Sequence, residues 1–578
     1  MIRILLQGSR WLASAAVVAI LAACGGGGGG GAGRTKSFVY EPIAPPASHP
    51  VSDADASRFL AQATFGPTLD DINRLKKIGF DAWMVEQMNR GYASHEHNLA
   101  VRTMVDMERD EPHRDWILDS FWREAISGDA QLRHRVAFAL SQIFVISMND
   151  GDVARYPLGV ANYLDTLTRH AFGNYRDLLE AVALHPMMGI YLTHLGNEKE
   201  DPKTNRTADE NFAREVMQLF SIGVVELAID GTPILDPQGV PVETYTNDDV
   251  TGLAKVFTGL SWGGGDPSRS RFKGWESAHK KETLPMQGYP QYHSTAEKSF
   301  LGTTLPGGND DAIAEVRAAL DVIASHPNVG PFIGKQLIQR LVTSNPSPAY
   351  VARVASVFND NGRGERGDLA AVVRAILYDP EARDPNVALQ PGWGKIREPI
   401  LRLTHWARVS RAHSRTDQYR IGRTSDPAES LGQAIFHAPS VFNFYRPGYI
   451  PPNSPAGQAG LLAPEMQLTD ESSVAGYLNF MRNAVQKGVG SGSPRDVQID
   501  YHRDWIALAD NPAELVERVN LLMLHGQMGN DLRTRLVEAA ESVSLNRSKP
   551  EQVEAARLNR VRLVLFLTLA SAEYLTQK

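Results

Sequence analysis

The side chains best suited to chemistry gather in residues 207–223, T-A-D-E-N-F-A-R-E-V-M-Q-L-F-S-I-G. Asn211, Glu215 and Gln218 stand at i, i+4 and i+7, so a helix carries them as one polar stripe. Phe212, Val216, Leu219 and Phe220 share a neighbouring face and read as a core face. An acid between amides at the edge of a core is either a satisfied polar network or a site. Glu210 and Glu215 are the candidate catalytic carboxylates, and Arg214 is a planar cation able to clamp a carboxylate or phosphate at two points. Glu210, Asp249 and His293 offer the donor types of a divalent-metal site. A plainer reading assigns the same residues to local structure. Thr207 with Glu210 is a capping box, Glu210 with Arg214 is a helical ion pair, and Asp248 and Asp249 suit the positive end of the next helix. Spacing favours the plainer reading, because the three metal-ligand candidates lie far apart in the chain.

The elements that position these residues are mostly helices. Residues 207–223 open on the Thr207/Glu210 pair and stop at Gly223. A polar loop over 197–205 precedes them, and 229–244 carries Gly231, Pro233, Pro237, Gly239 and Pro241 between β-prone pieces, the pattern of a small hairpin. Thr246-Asn247-Asp248-Asp249 opens a second helix with Val250, Leu253, Ala254 and Phe257 on its core face. Residues 263–291 are weakly patterned; His279 there and His293 just beyond are further site candidates, and Trp262 and Trp275 are aromatic candidates for a cleft wall. Helical periodicity also marks 53–64, 70–88 with a break at Gly79, 116–127, 158–170 and 175–184. Residues 131–146 are apolar but interrupted by Gln142, with Arg133 and Arg135 near their start. After residue 310 the same signals recur, including a short helix at 431–436 and a last long one over 553–575. The predicted fold is mainly α: a large multi-helix globular domain over 52–578 with minor short β-hairpins, divisible into halves 52–309 and 310–578.

The start of the chain reads as targeting rather than fold. Residues 1–23 combine Arg3 and Arg10 with a short apolar run, and Leu21-Ala22-Ala23-Cys24 matches a bacterial lipobox, making Cys24 the candidate lipidation site. A Gly-rich and Pro-rich segment, 24–51, follows as a tether of about 25 residues reaching about 30 Å. Gly25 rather than Asp after the cysteine resembles lipoproteins sorted to the outer membrane. The expectation is a cleaved signal and a lipid-anchored cell-envelope protein. A formal charge of −7 gives no electrostatic case for nucleic acid. Cys24 is the single cysteine, which excludes thiol catalysis and disulfides in the folded part. There is no H-E-x-x-H and no G-x-S-x-G, and G-P-F-I-G-K at 330–335 is one residue short of a phosphate-binding loop.

D-E-N-F-A-R-E-V-M-Q-L-F-S-I-G resembles the signature of a large family of exported bacterial proteins, domain of unknown function 1800. Phe59-Leu60 with 63–68, His185-Pro186-Met187, Phe257 to Trp262, His293 with Lys298, His326-Pro327, and Lys395 with Arg397 and Pro399 resemble further motifs in the same order. Gln218 and Ser294 depart from it, since the resemblance implies acids there. It also implies a partner, a second exported protein of phosphatase- or sulfatase-like fold. Two functions follow as expectations: an accessory protein that binds another exported protein, or a metal-assisted hydrolase built around the central helix.

Overall fold

The computed structural model describes residues 51–91, 96–108, 111–275, 281–545 and 549–578. The signal, Cys24, the tether up to residue 50 and His279 lie outside them. Twenty-four α-helices dominate the described residues, and the strands form four two-stranded antiparallel sheets, as the periodicity predicts. No helix among the described residues is long and apolar enough to cross a membrane.

The core is built around the helix Gln131–Ser141, in which nearly every residue is buried. It packs against Leu69–Asn89, Asp115–Ser127 and Pro157–His170 on one side of the sequence and against Val329–Leu341 from far downstream. It stops at Ser141, short of residue 146, and Gln142 caps it. The reason is tertiary: Gln142 turns its amide into a buried polar cluster. Gly79, at φ 81°, kinks Leu69–Asn89 where the sequence places its break. Thr246 and Asp249 form a reciprocal capping box at the start of Asn247–Val256. That helix lies close against the strand Lys298–Phe300, and Gly252 makes the approach possible, since a Cβ there would come within 1.8 Å of Ser299 O.

Two expectations are corrected. The central helix is Asn211–Gln218, not the whole of 207–223, and Thr207 with Glu210 does not cap it. Asp209 does instead, accepting the Asn211 N–H at 2.9 Å while Asn197 Oδ1 receives the Asp209 N–H at 3.0 Å. Residues 431–436 are irregular rather than helical. Leu431 and Gln433 give their N–H groups to Thr424 O, and Gly432 and Phe436 take positive φ, so long-range bonding overrides local propensity.

Residues 224–244 form an arm of isolated antiparallel bridges, Val225 with Glu243, Leu227 with Pro233 and Leu235 with Pro241. Asn328 holds its base, accepting the Leu227 N–H and donating to Ile222 O and Val225 O. Val224, Ile229, Ile234, Leu235 and Val240 on this arm are exposed.

Candidate functional site

The residues singled out by type and spacing occupy separate places. Glu210 accepts from Thr251 Oγ1 at 2.9 Å and pairs with Arg214 at 3.2 Å, both partners partly exposed. Asp249 is occupied by its capping box and by the Leu301 N–H at 2.7 Å, and these hydrogen bonds outweigh burial to hold its carboxyl below the usual range. Glu215 is buried, which raises its pKa, and its Oε2 has no hydrogen-bond partner. His293 is fully buried, with Nδ1 2.8 Å from Thr258 O and Nε2 2.9 Å from Glu315 Oε2. The carbonyl can only accept, so Nδ1 carries the hydrogen. Lys298 reaches the same Glu315 oxygen at 2.7 Å and donates to Ser294 O and Ala296 O. Both imidazole nitrogens are engaged, so His293 holds a buried structural cluster together. Ser294 donates to Glu200 at 2.8 Å, so an acid from another segment stands where the family resemblance implies one in place. Trp262 is buried and faces Tyr156 and Lys281, whereas Trp275 is 70% exposed.

The structure assembles a different polar centre at the end of the helix Gln131–Ser141. Glu398, fully buried, accepts on Oε2 from Gln142 Nε2 at 2.6 Å, Gln433 Nε2 at 2.7 Å and Tyr445 OH at 2.9 Å. Lys395 Nζ, also buried, reaches Glu465 at 3.0 Å, Glu398 Oε1 at 4.0 Å and Arg340 O at 3.0 Å. Arg135 Nη2 donates to that same carbonyl at 2.6 Å, and the Arg340 guanidinium lies 4.7 Å over the Tyr445 ring. Burial lowers the pKa of Lys395 and of Arg135. Burial alone would raise Glu398, but Lys395 and Arg135 outweigh it and its carboxyl ends below the usual range. Three cations thus face two carboxylates. Arg135 Nε and Nη1, Arg340 Nε, Glu398 Oε1 and Glu465 Oε2 have no hydrogen-bond partner, a concentration of unsatisfied polar atoms that marks sites rather than inert cores.

A cleft of about 420 Å³ opens beside this centre. Leu219 and Gln218 from the end of the central helix line it, with Leu227 and Pro233 from the arm, Phe332 and Phe442. Gln142 and Arg340 belong to both cleft and polar centre. Lys335 and Arg340 are the charged residues of the lining; no carboxylate is among it. Gln336 adds a buried Nε2 without a partner. The surface is therefore apolar with cationic and amide donors at its floor, chemistry suited to an apolar ligand bearing an anionic group.

Of the central stripe, Gln218 alone reaches the cleft. Arg340, Glu398, Glu465 and Tyr445 escape a reading by spacing because they come from separate segments. The signals that point to the centre are Gln142 within an apolar run, Arg135 at its start, and the Lys395 motif.

The family model described as "Protein of unknown function (DUF1800)" matches residues 58–576. No curated protein and no solved structure matches the chain.

Proposed function

The chain belongs to the DUF1800 family, and within it we propose that this member is a lipid-anchored envelope protein that binds an apolar, carboxylate-bearing segment of another exported protein. The observation that carries the reading is the cleft: an apolar lining whose charged members, Lys335 and Arg340, are both cationic, backed by a buried centre with a cation in excess. The exposed apolar residues of the neighbouring arm extend the same surface and suit a protein segment longer than a small metabolite. The engagement of Glu210, Asp249 and His293 in separate bonds supports binding over metal-assisted hydrolysis around the central helix. The anchor rests on Cys24 with its preceding apolar run, and Gly25 rather than Asp after the cysteine, by resemblance to other bacterial lipoproteins, favours the outer membrane. The resemblance supplies the partner class, an exported protein of phosphatase- or sulfatase-like fold.

Binding is tested with fluorescent apolar hexapeptides carrying either a free or an amidated C-terminus. The free carboxylate is expected to bind at least tenfold more tightly, with the preference lost in Lys335→Gln and all binding lost in Leu227→Glu. Equal affinity for the two termini, or displacement of both by a fatty acid in preference to peptide, sinks the reading. Anchoring is tested separately: Cys24→Ala is expected to abolish incorporation of labelled fatty acid, and unchanged labelling removes the lipid from the proposal.

A further inference from the structure

Outside the cleft, three helices bring metal-ligating side chains to one point. Glu96 opens the helix Glu96–Glu108, Glu124 belongs to Asp115–Ser127, and His134 to Gln131–Ser141. Their donor atoms lie within 4.8 Å of one another. We propose that Glu96, Glu124 and His134 form a binding site for a divalent first-row transition ion such as Zn²⁺.

The separations carry the argument. His134 Nε2 lies 3.6 Å from Glu96 Oε2 and 3.6 Å from Glu124 Oε2. That is too long for hydrogen bonds, which close to about 3.2 Å or less. Ligand atoms around a tetrahedral zinc, each about 2.0 Å from the ion, stand roughly 3.3 Å apart. One imidazole and two carboxylates with room for a further ligand match the donor set of zinc and its first-row neighbours.

The surroundings are built to hold these groups in place. Arg123 Nε donates to Glu124 Oε1 at 2.9 Å, fixing that carboxylate and leaving Oε2 toward the imidazole. Gly128 leaves the space the carboxylate occupies, since a Cβ there would come within 2.5 Å of Glu124 Oε2. Asp165 accepts the N–H groups of His97 and Asn98 at 2.8 and 2.9 Å, anchoring the first turn that carries Glu96. His97 adds a second, independent observation. It is 1% exposed, its Nδ1 is held by Ser120 Oγ at 2.8 Å, and its ring stands edge-on to His134 with centroids 5.6 Å apart. Its Nε2 has no hydrogen-bond partner, so a buried nitrogen is left over beside the cluster. Glu96 is the most exposed of the three at 26%, which leaves a route for the ion from solvent. Two carboxylates and an imidazole turned toward one point repel unless a cation or a proton joins them.

The test uses the full-length chain, purified in detergent without chelators or a metal-binding tag, equilibrated with Zn²⁺ and desalted. Elemental mass spectrometry is expected to find about one Zn²⁺ per chain, with retention lost in His134→Ala and reduced at least tenfold in Glu96→Gln. Glu96 is partly exposed at a helix start, so Glu96→Gln keeps the fold if His134→Ala does not. Added Zn²⁺ is expected to raise the unfolding midpoint of the parent chain and not that of Glu96→Gln. Folded parent chain that retains no Zn²⁺, equal retention in Glu96→Gln, or loss of Zn²⁺ in Glu210→Ala instead, each overturns the assignment.

Discussion

Glu398 concentrates the physics of the buried centre in one side chain. Three neutral donors converge on its Oε2, and Lys395 and Arg135 supply the charge that keeps it ionised. Removing it leaves two buried cations undercompensated and the Gln142 and Gln433 amides without an acceptor, while Tyr445 keeps Gln142 Oε1. Glu398→Ala is expected to cost about 3–5 kcal/mol, read as a fall in the urea midpoint. A loss below about 1 kcal/mol would mean that water or a rearranged Glu465 replaces it, and the centre would not be the tightly coupled unit described above. The residue scale is also where the sequence misleads most. Glu210, Arg214 and Asp249 have the right chemical types, but cap bonds, a partly exposed pair and a neighbouring hydroxyl take them up. Arg135 and Lys395 are visible in the sequence only as a cation near a helix start and as part of a family-like motif. Their meeting at Arg340 O depends on a fold that brings distant segments together.

At the scale of elements, local rules succeed where the determinants are local. The helix start at Thr246–Asp249, the break at Gly79 and the boundary at His185-Pro186 follow from local helix-end, proline and glycine geometry, and the structure contains all three, the first of them as a capping box. The rules fail at 431–436 and at the end of the helix before Gln142, where bonds to Thr424 and to Glu398 decide the backbone. Two substitutions test the helix Asn247–Val256. Thr246→Ala removes a capping oxygen and is expected to cost about 1 kcal/mol. Gly252→Ala drives a methyl into Ser299 O and is expected to cost about 1–3 kcal/mol, since the helix must move off the strand Lys298–Phe300. Thermal unfolding should rank Gly252→Ala at or below Thr246→Ala, and the reverse order would show that the helix is free to shift. The cleft depends on this level as well, because the arm over 224–244 supplies one wall and is held at its base by Asn328.

Over the whole molecule, buried histidines set the response to acid. Burial lowers His134 and His185 to about 3 and His170 and His194 to about 4 from the ordinary 6.5. The folded chain binds these protons less readily than the unfolded one. Their stabilisation is therefore present above about pH 6.5 and lost as the pH falls toward 4 and below. Burial acts oppositely on Glu96 and Asp119, both raised to about 7, so their contribution is present below about pH 4 and lost as the pH rises through 7. Burial lowers His97, His405 and His525 in the same direction, so between these limits the histidines well outnumber the two acids, and each net proton is worth roughly 1.4 kcal/mol per pH unit. Stability is expected to fall by more than about 2 kcal/mol from pH 6 to pH 5, measured as urea midpoints at each pH. A flat profile would mean that the histidines are already protonated in the fold.

The helix Asp53–Ala63 packs first on the helix that follows it, Leu69–Asn89, yet two of its polar side chains bond hundreds of residues downstream. Ser57 Oγ donates to Leu521 O at 2.6 Å, and Arg58 donates to Asp384 O at 3.2 Å and to Arg383 O. Ribosomes release this helix hundreds of residues before the segments that receive it. Phe59 meets Phe80 and Trp83 of the next helix early, but Ser57 and Arg58 wait for these acceptors until the chain around Asp384 and Leu521 has been made. Closing so long a loop is slow, so these bonds form later than the packing of Asp53–Ala63 on Leu69–Asn89. A chain tied this way is easier to thread through a narrow passage before those bonds close than after.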